Sequence, residues 1–288
     1  MLQVARLARQ LLGESSQLVV DYLRSQINSD GGFKDRSGKS DLYYTVFGLQ
    51  ALCALQAELP TISTKEYLHT FGGGESLDFV HLTCLARCWA MMSDGSLREP
   101  ARNELLNRLE SFRSRDGGYH DASDSEHGTT YGCFLAIAAH QDLQANSPNE
   151  DGLRHCLKSL QTRDGAFANQ PHRETGITTA TAAAVTLLRH LGDPAPASVG
   201  SWLLSRCHSQ GGFFAIPTAP VPDLLSTATA LHALTSMQVS LNPIRESCLD
   251  FVDSLWTNQG AFYGSWADDA LDCEYTYYGL LALGHLTI

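Results

Sequence analysis

Basic residues are scarce in this chain: 20 Lys and Arg stand against 31 Asp and Glu in 288 residues, a net charge of −11. That balance argues against a nucleic-acid partner, because neutralising phosphates takes clustered Lys and Arg. Long apolar runs are missing too. No stretch reaches the ~18 to 20 residues that span a bilayer, so the chain is not membrane-spanning. Met1 to Leu12 alternates Arg and Gln with Leu and Val, which predicts an amphipathic helix rather than a signal peptide. The eight cysteines contain no C-x-x-C pair and fall mostly inside helical apolar patterns. They fit small core residues in a reducing, cytoplasmic setting. Cys84 and Cys88, four residues apart, are the one spacing that suits a metal, with Asp78 or His81 as further ligands; core packing competes with that reading. No segment calls for a β-strand.

What the sequence has instead is 43% hydrophobic residues, enough for a substantial core, and a repeat. A Gly-aromatic turn recurs as Asp30-Gly31-Gly32-Phe33, Asp116-Gly117-Gly118-Tyr119, Asp164-Gly165-Ala166-Phe167, Gln210-Gly211-Gly212-Phe213 and Gln259-Gly260-Ala261-Phe262. The last four aromatics are spaced 48, 46 and 49 residues apart. Phe33 and Tyr119 are separated by about twice that period, and a shorter version, Phe71-Gly72-Gly73-Gly74, fills the gap. Six units of helix, turn, loop and helix follow, at the period of stacked supersecondary repeats.

The second helix of each unit begins at an acid. Asp41/Thr45, Glu126/Thr130, Glu174/Thr178, Asp223/Thr227 and Asp272/Thr276 pair an acid with a Thr four residues on, and Asp78/Thr83 is one place late. A carboxylate there can accept from the free amides of the first turn and suits the positive end of the helix. The leading helix is expected over 1–13 and the first outer helix over 17–28. The link Asn146-Ser147-Pro148-Asn149-Glu150-Asp151 reads as a surface connection.

These Gly-Gly-aromatic turns, their period and the acid-led second helices resemble the repeats of protein prenyltransferase β subunits and squalene-hopene-type cyclases, over roughly residues 18–286. The resemblance implies an all-α, α6/α6 toroid of six hairpins over 17–288, with 1–16 as an added N-terminal helix. In that family the second helices line an apolar cavity for an isoprenoid. Closure also suits the physics, since apolar second helices are best buried against one another.

By the same likeness, the positions three and six residues after each acid look into the cavity. They are Tyr44/Phe47, His81/Cys84, Thr129/Gly132, Ile177/Ala180, Ser226/Thr229 and Tyr275/Tyr278. Tyr44, Phe47, His81, Tyr275 and Tyr278 would form an aromatic wall, with Thr129, Ser226 and Thr229 among the small residues opposite. Those aromatics would bind an isoprenoid or similar apolar molecule, or simply fill the core. Family β subunits hold zinc with Asp-x-Cys in the fifth repeat and a His in the sixth. Asp223 is kept, but Leu225 and Tyr275 replace the other two ligands, so a zinc site is not expected. The loop Phe214 to Pro222 lacks the family's diphosphate-binding Arg and Lys, and His127-Gly128, one repeat early, is the candidate substitute for the family's His-Gly.

Cyclases of this kind protonate an alkene or epoxide with the middle Asp of Asp-x-Asp-Asp-Thr, and Asp272-Cys273-Glu274-Tyr275-Thr276 resembles that motif. In that reading Glu274 is the general acid, oriented by Asp272 and next to Tyr275. Each of the six acids could equally be a helix cap. Together they would repel a free diphosphate unless Mg²⁺ accompanied it. The alternative to an enzyme is a non-catalytic toroid that binds a lipid or a helical-repeat protein partner.

Overall fold

The computed structural model describes residues 1–92, 97–146 and 149–287; Ser147 and Pro148 of the polar link, and Gly95, lie outside the described residues. The described residues form fourteen α-helices. In chain order these are α1 (Leu2–Ala5), α2 (Ala8–Leu12), α3 (Ser16–Ser25), α4 (Leu42–Ala54), α5 (Thr61–His69), α6 (Phe79–Met91) and α7 (Glu99–Glu110). There follow α8 (Thr130–Asp142), α9 (Glu150–Ser159), α10 (Thr178–His190), α11 (Ala197–Leu204), α12 (Leu224–Ser236), α13 (Arg245–Ser254) and α14 (Cys273–Thr287). From α3 onward they pair into the six expected hairpins. The chain divides into two compact units, Met1–Leu59 with Pro196–Ile288, and Pro60–Ala195. The first holds the first, fifth and sixth hairpins; the second holds the other three.

In the first unit the last repeat packs on the first, as a repeat with apolar second helices requires. Helix α14 lies between α4 and α12. The Gly-aromatic turns make the joints between neighbouring hairpins. Gly211 and Gly260 have φ of +87° and +83°, and an added Cβ would stand 1.8 Å from the Ser247 carbonyl oxygen and 2.2 Å from that of Leu18. Only glycine allows both the left-handed backbone and this approach to the next outer helix. Each turn then places its aromatic on the inner helix of its own repeat: Phe33 and Phe262 are fully buried over Gly48 and Gly279.

In three of the turns the aromatic's backbone amide is held by a Thr of the inner helix, Thr45 and Thr227 of the repeated pairs and Thr181 in place of the expected Thr178. The amides of Phe33 and Phe213 donate to the hydroxyls of Thr45 and Thr227 at 2.9 Å, and that of Phe167 donates to Thr181 at 3.1 Å. In the third repeat Cys133 takes this place, its Sγ accepting from the Tyr119 amide. A buried amide left without such an acceptor is costly, which accounts for the recurrence of the residue type.

The same bonds correct two cap assignments. Asp41, Asp78, Asp223 and Asp272 accept from first-turn amides as expected. Glu126 and Glu174 do not. They sit three residues ahead of the true N-caps, Thr129 and Ile177, exposed and paired with Arg115 and Arg163. The loop in these two repeats is instead held by Asp116 and Asp164, which accept from the Gly128 and Gly176 amides.

Two further expectations are revised. The leading segment is two short helices joined through a 3₁₀ turn at Gly13–Ser15 to α3, not one helix over 1–13. Ala5 and Ala8 are fully buried, and a Cβ on Gly284 would meet the Val4 carbonyl oxygen at 2.1 Å. The segment is therefore shaped by close docking on α14. Strands are present, though minimal: β1 (Phe33–Lys34) and β2 (Ser40–Asp41) pair antiparallel where the first turn meets α4.

A candidate acid site on an aromatic helix face

Helices α4 and α14 are apolar around their whole circumference, and most of their residues are buried. In their first two turns the residues that keep accessible surface are Tyr43, Tyr44 and Phe47 on α4, and Glu274, Tyr275 and Tyr278 on α14. Such a helix should bury every face, so a partly open aromatic face is space that the protein does not itself fill. Phe47 packs against Tyr278 with ring centroids 5.4 Å apart, and against Tyr43 at 4.9 Å. Four of the predicted wall residues, Tyr44, Phe47, Tyr275 and Tyr278, thus come together on two adjacent helices.

The carboxylates at the start of α14 divide into two environments. Asp272 is 3% exposed, caps the helix through the Tyr275 amide at 2.8 Å and receives the Arg36 Nε at 2.8 Å. Burial pushes its carboxyl up, and the Tyr275 amide and Arg36 pull it back. The same guanidinium reaches Asp268 at 2.8 Å and lies 5.5 Å from the centre of the Tyr275 ring. Arg36 is thereby neutralised by two acids and held firmly protonated. Among the described residues Glu274 forms no ion pair. Its Oε1 accepts from the Tyr43 hydroxyl at 2.6 Å, and burial, with the charge of Asp272, raises its carboxyl to about 7. Both carboxyls are raised by burial; Asp272 is met by a guanidinium, whereas Glu274 keeps its proton to a pH well above that of an ordinary glutamate.

Burial likewise pushes the phenols of Tyr44 and Tyr275 up to about 12. Tyr275 is consequently a neutral phenol and no substitute for a histidine zinc ligand. Asp223 is committed to the amide and hydroxyl of Ser226, at 2.6 and 2.8 Å, and Leu225 has no donor atom. The residues at the family's zinc positions do not fit the ion. Ser226 and Thr229 are buried on α12, and the Thr229 hydroxyl donates back to the Leu225 carbonyl at 2.7 Å.

The remaining predicted residues belong to the second unit. His81 Nδ1 lies 2.9 Å from the Asp78 carboxylate. His127 is half-exposed, 3.5 Å from Asp116. Thr129 is the N-cap of α8, its hydroxyl accepting from the Gly132 amide at 2.8 Å, rather than a side chain three residues into the helix. Cys88 is fully buried, and its thiol is raised well above the usual range, which opposes the thiolate a metal requires. Among the described residues no three His, Cys, Asp or Glu side chains gather as a metal site.

The model of the prenyltransferase alpha-alpha toroid domain matches residues 7–81, 62–214 and 193–287. The chain belongs to this family. Its fold class is accordingly the α/α toroid, which solved structures share. A variant of the type II terpene cyclase MstE from Scytonema, in complex with geranylgeranyl dihydroxybenzoate as substrate, is similar at a TM-score of 0.69 and 14% identity, covering 97% of each chain. The Candida albicans protein geranylgeranyltransferase-I complexed with GGPP gives 0.57 and 15%, covering 99% of this chain and 89% of that one. An alpha-1,6-mannanase from Salegentibacter gives 0.62 and 13%, covering 95% and 98%. No functionally curated protein matches the chain by sequence. That one toroid serves a cyclase, a transferase and a glycosidase means that this chain's chemistry has to be argued from its own residues. No described helix is long and apolar enough to cross a membrane.

Proposed function

We propose that this toroid family member binds an isoprenoid chain against the α4–α14 face and acts on it as a proton donor, through Glu274. The observation that carries this reading is the pairing of a carboxyl raised to about 7 with an open aromatic face one helical turn away. A general acid must still hold its proton at the working pH, and a carboxyl raised to about 7 supports that role up to neutrality. In the proposed step the Glu274 carboxyl gives its proton to a terminal alkene carbon, leaving the carboxylate and a tertiary cation on the adjacent carbon. The π faces of Phe47, Tyr44 and Tyr278 would stabilise that cation as ring closure moves it along the chain. Loss of a proton from a carbon beside the last cation ends the sequence, so product and substrate are isomers. Tyr43 and the Asp272–Arg36 pair orient the acid, and neither is consumed.

The geranylgeranyl ligands of two fold relatives are consistent with such a chain, and burying ~10 to 15 methylene equivalents at about 0.8 kcal/mol each supplies ample gross affinity. The loss of the family's zinc ligands favours a proton-initiated reaction over prenyl transfer. It equally suits a non-catalytic toroid that holds a lipid or a protein partner on the same face. Titration with fluorescent farnesyl and geranylgeranyl analogues tests the binding step. The parent and Glu274→Gln should bind alike and Thr229→Trp should not. Failure of the parent to bind either analogue would show that the aromatic face is packing surface only.

A further inference from the structure

The second unit contains a cavity that the preceding reading does not use. It has a volume of about 460 Å³ and lies where the loops after the third and fourth Gly-aromatic turns meet the starts of α6, α8 and α10. That size is ordinary for a small-molecule site. Phe79 and Ile177 give it an apolar side, and Tyr131, 42% exposed, adds an aromatic edge.

Its polar lining is biased toward donors. Asn169 Oδ1 accepts from the Tyr131 backbone amide at 3.0 Å, so its amide nitrogen is what remains to face a ligand. Gln170 Oε1 accepts from the Arg173 guanidinium, which likewise leaves its nitrogen. Among the described residues Arg173 makes no ion pair, and most of its five N–H donors are uncommitted. The acid in the cavity, Asp121, is largely exposed, and His120 Nδ1, 2.7 Å from it, accepts from the Ala122 amide at 3.0 Å. Two side-chain amides, each with its oxygen already accepting one bond, and one guanidinium without an ion pair among the described residues make a place for an anion.

From this donor count we infer that the cavity binds a small carboxylate with an apolar or aromatic body. One guanidinium matches one negative charge, and its fork suits a carboxylate in two-point contact. A diphosphate would bring more charge than this lining neutralises, next to Asp121. The site is built wholly from residues of the second unit, so it stands or falls separately from the Glu274 reading.

Benzoate is the simplest probe. Titrated into the full chain, it should shift the side-chain amide resonances of Asn169 and Gln170 saturably, while benzyl alcohol, of similar shape without the charge, should leave them in place. Arg173→Gln should weaken benzoate by about 10- to 100-fold, the usual effect of losing a charge-assisted pair. Arg173 is exposed, so the variant should melt with the parent, which circular dichroism will check. The inference is overturned if benzoate moves neither amide, if Arg173→Gln binds it as well as the parent, or if benzyl alcohol binds equally. Inorganic pyrophosphate binding more tightly than benzoate would also overturn it, in favour of a polyanion site.

Discussion

Replacing Glu274 by Gln isolates the feature on which the proposed chemistry depends, because Gln keeps an oxygen for the Tyr43 hydroxyl and cannot ionise. In the folded protein the carboxyl is raised from 4.5 to about 7. Between those values the folded state holds a proton that the unfolded state has released, so stability falls as pH rises through this window. The loss is complete above pH 7. A difference of about 2.5 units corresponds to about 3 kcal/mol, or about 6 °C in Tm for a chain of this size. Thermal melts of parent and variant should therefore converge near pH 4.5 and separate toward pH 8, with the variant the more stable by several degrees. Packing changes introduced by the amide shift both ends equally and leave the slope. A difference between the two Tm values that stays flat from pH 4.5 to 8 would refute the raised carboxyl, and the acid role with it.

Tyr43→Phe removes a bond that lowers the Glu274 carboxyl, so the midpoint of the stability difference just described should move to higher pH; no movement would mean that the contact is incidental. Arg36→Gln leaves the buried Asp272 without its cation and should cost about 1 to 3 kcal/mol in urea unfolding. Asp268→Asn in the same background should cost less than it does alone, since the two acids share one guanidinium. Gly284→Ala forces a Cβ against the Val4 carbonyl and should lower stability by about 1 to 3 kcal/mol, with hydrogen exchange accelerated over residues 2–12 before the rest of the chain.

The repeat was readable because its physics is local. A Gly-Gly-aromatic turn, a cap and an apolar helix each write their own pattern, and Asp41, Asp223 and Asp272 cap as that pattern requires. Glu126 and Glu174 misled because an acid ahead of an apolar run is only a proxy for a cap. The better marker is the residue whose side chain accepts from the turn amide, and it identifies Cys133 and Thr181 rather than Thr130 and Thr178. Counting back four residues from it finds Thr129 and Ile177.

Arg36 was not legible at all. It meets Asp272 from 236 positions away, a contact made by the docking of the last repeat on the first, and nothing in either local pattern records it. Tyr43 was missed for a subtler reason. It stands two residues after the Asp41 cap as Glu274 stands two after Asp272, so the adjacent helices bring equivalent positions together. A reading confined to the third and sixth positions passes over that row. The helical side of the second unit's cavity was legible, since Thr129, Gly132 and Ile177 line it as the spacing implied; its donor character was not, because that depends on which acceptors the folded loops consume.

The most direct test of the account is to incubate the protein with a geranylgeranyl-bearing substrate in D₂O and measure the mass of any isomer formed. A reaction begun by the Glu274 proton places one solvent deuterium on carbon in each product molecule, slows as pH rises through about 7, and disappears in Glu274→Gln. Product without deuterium, or product that persists in Glu274→Gln, would contradict the assignment of Glu274 as the acid.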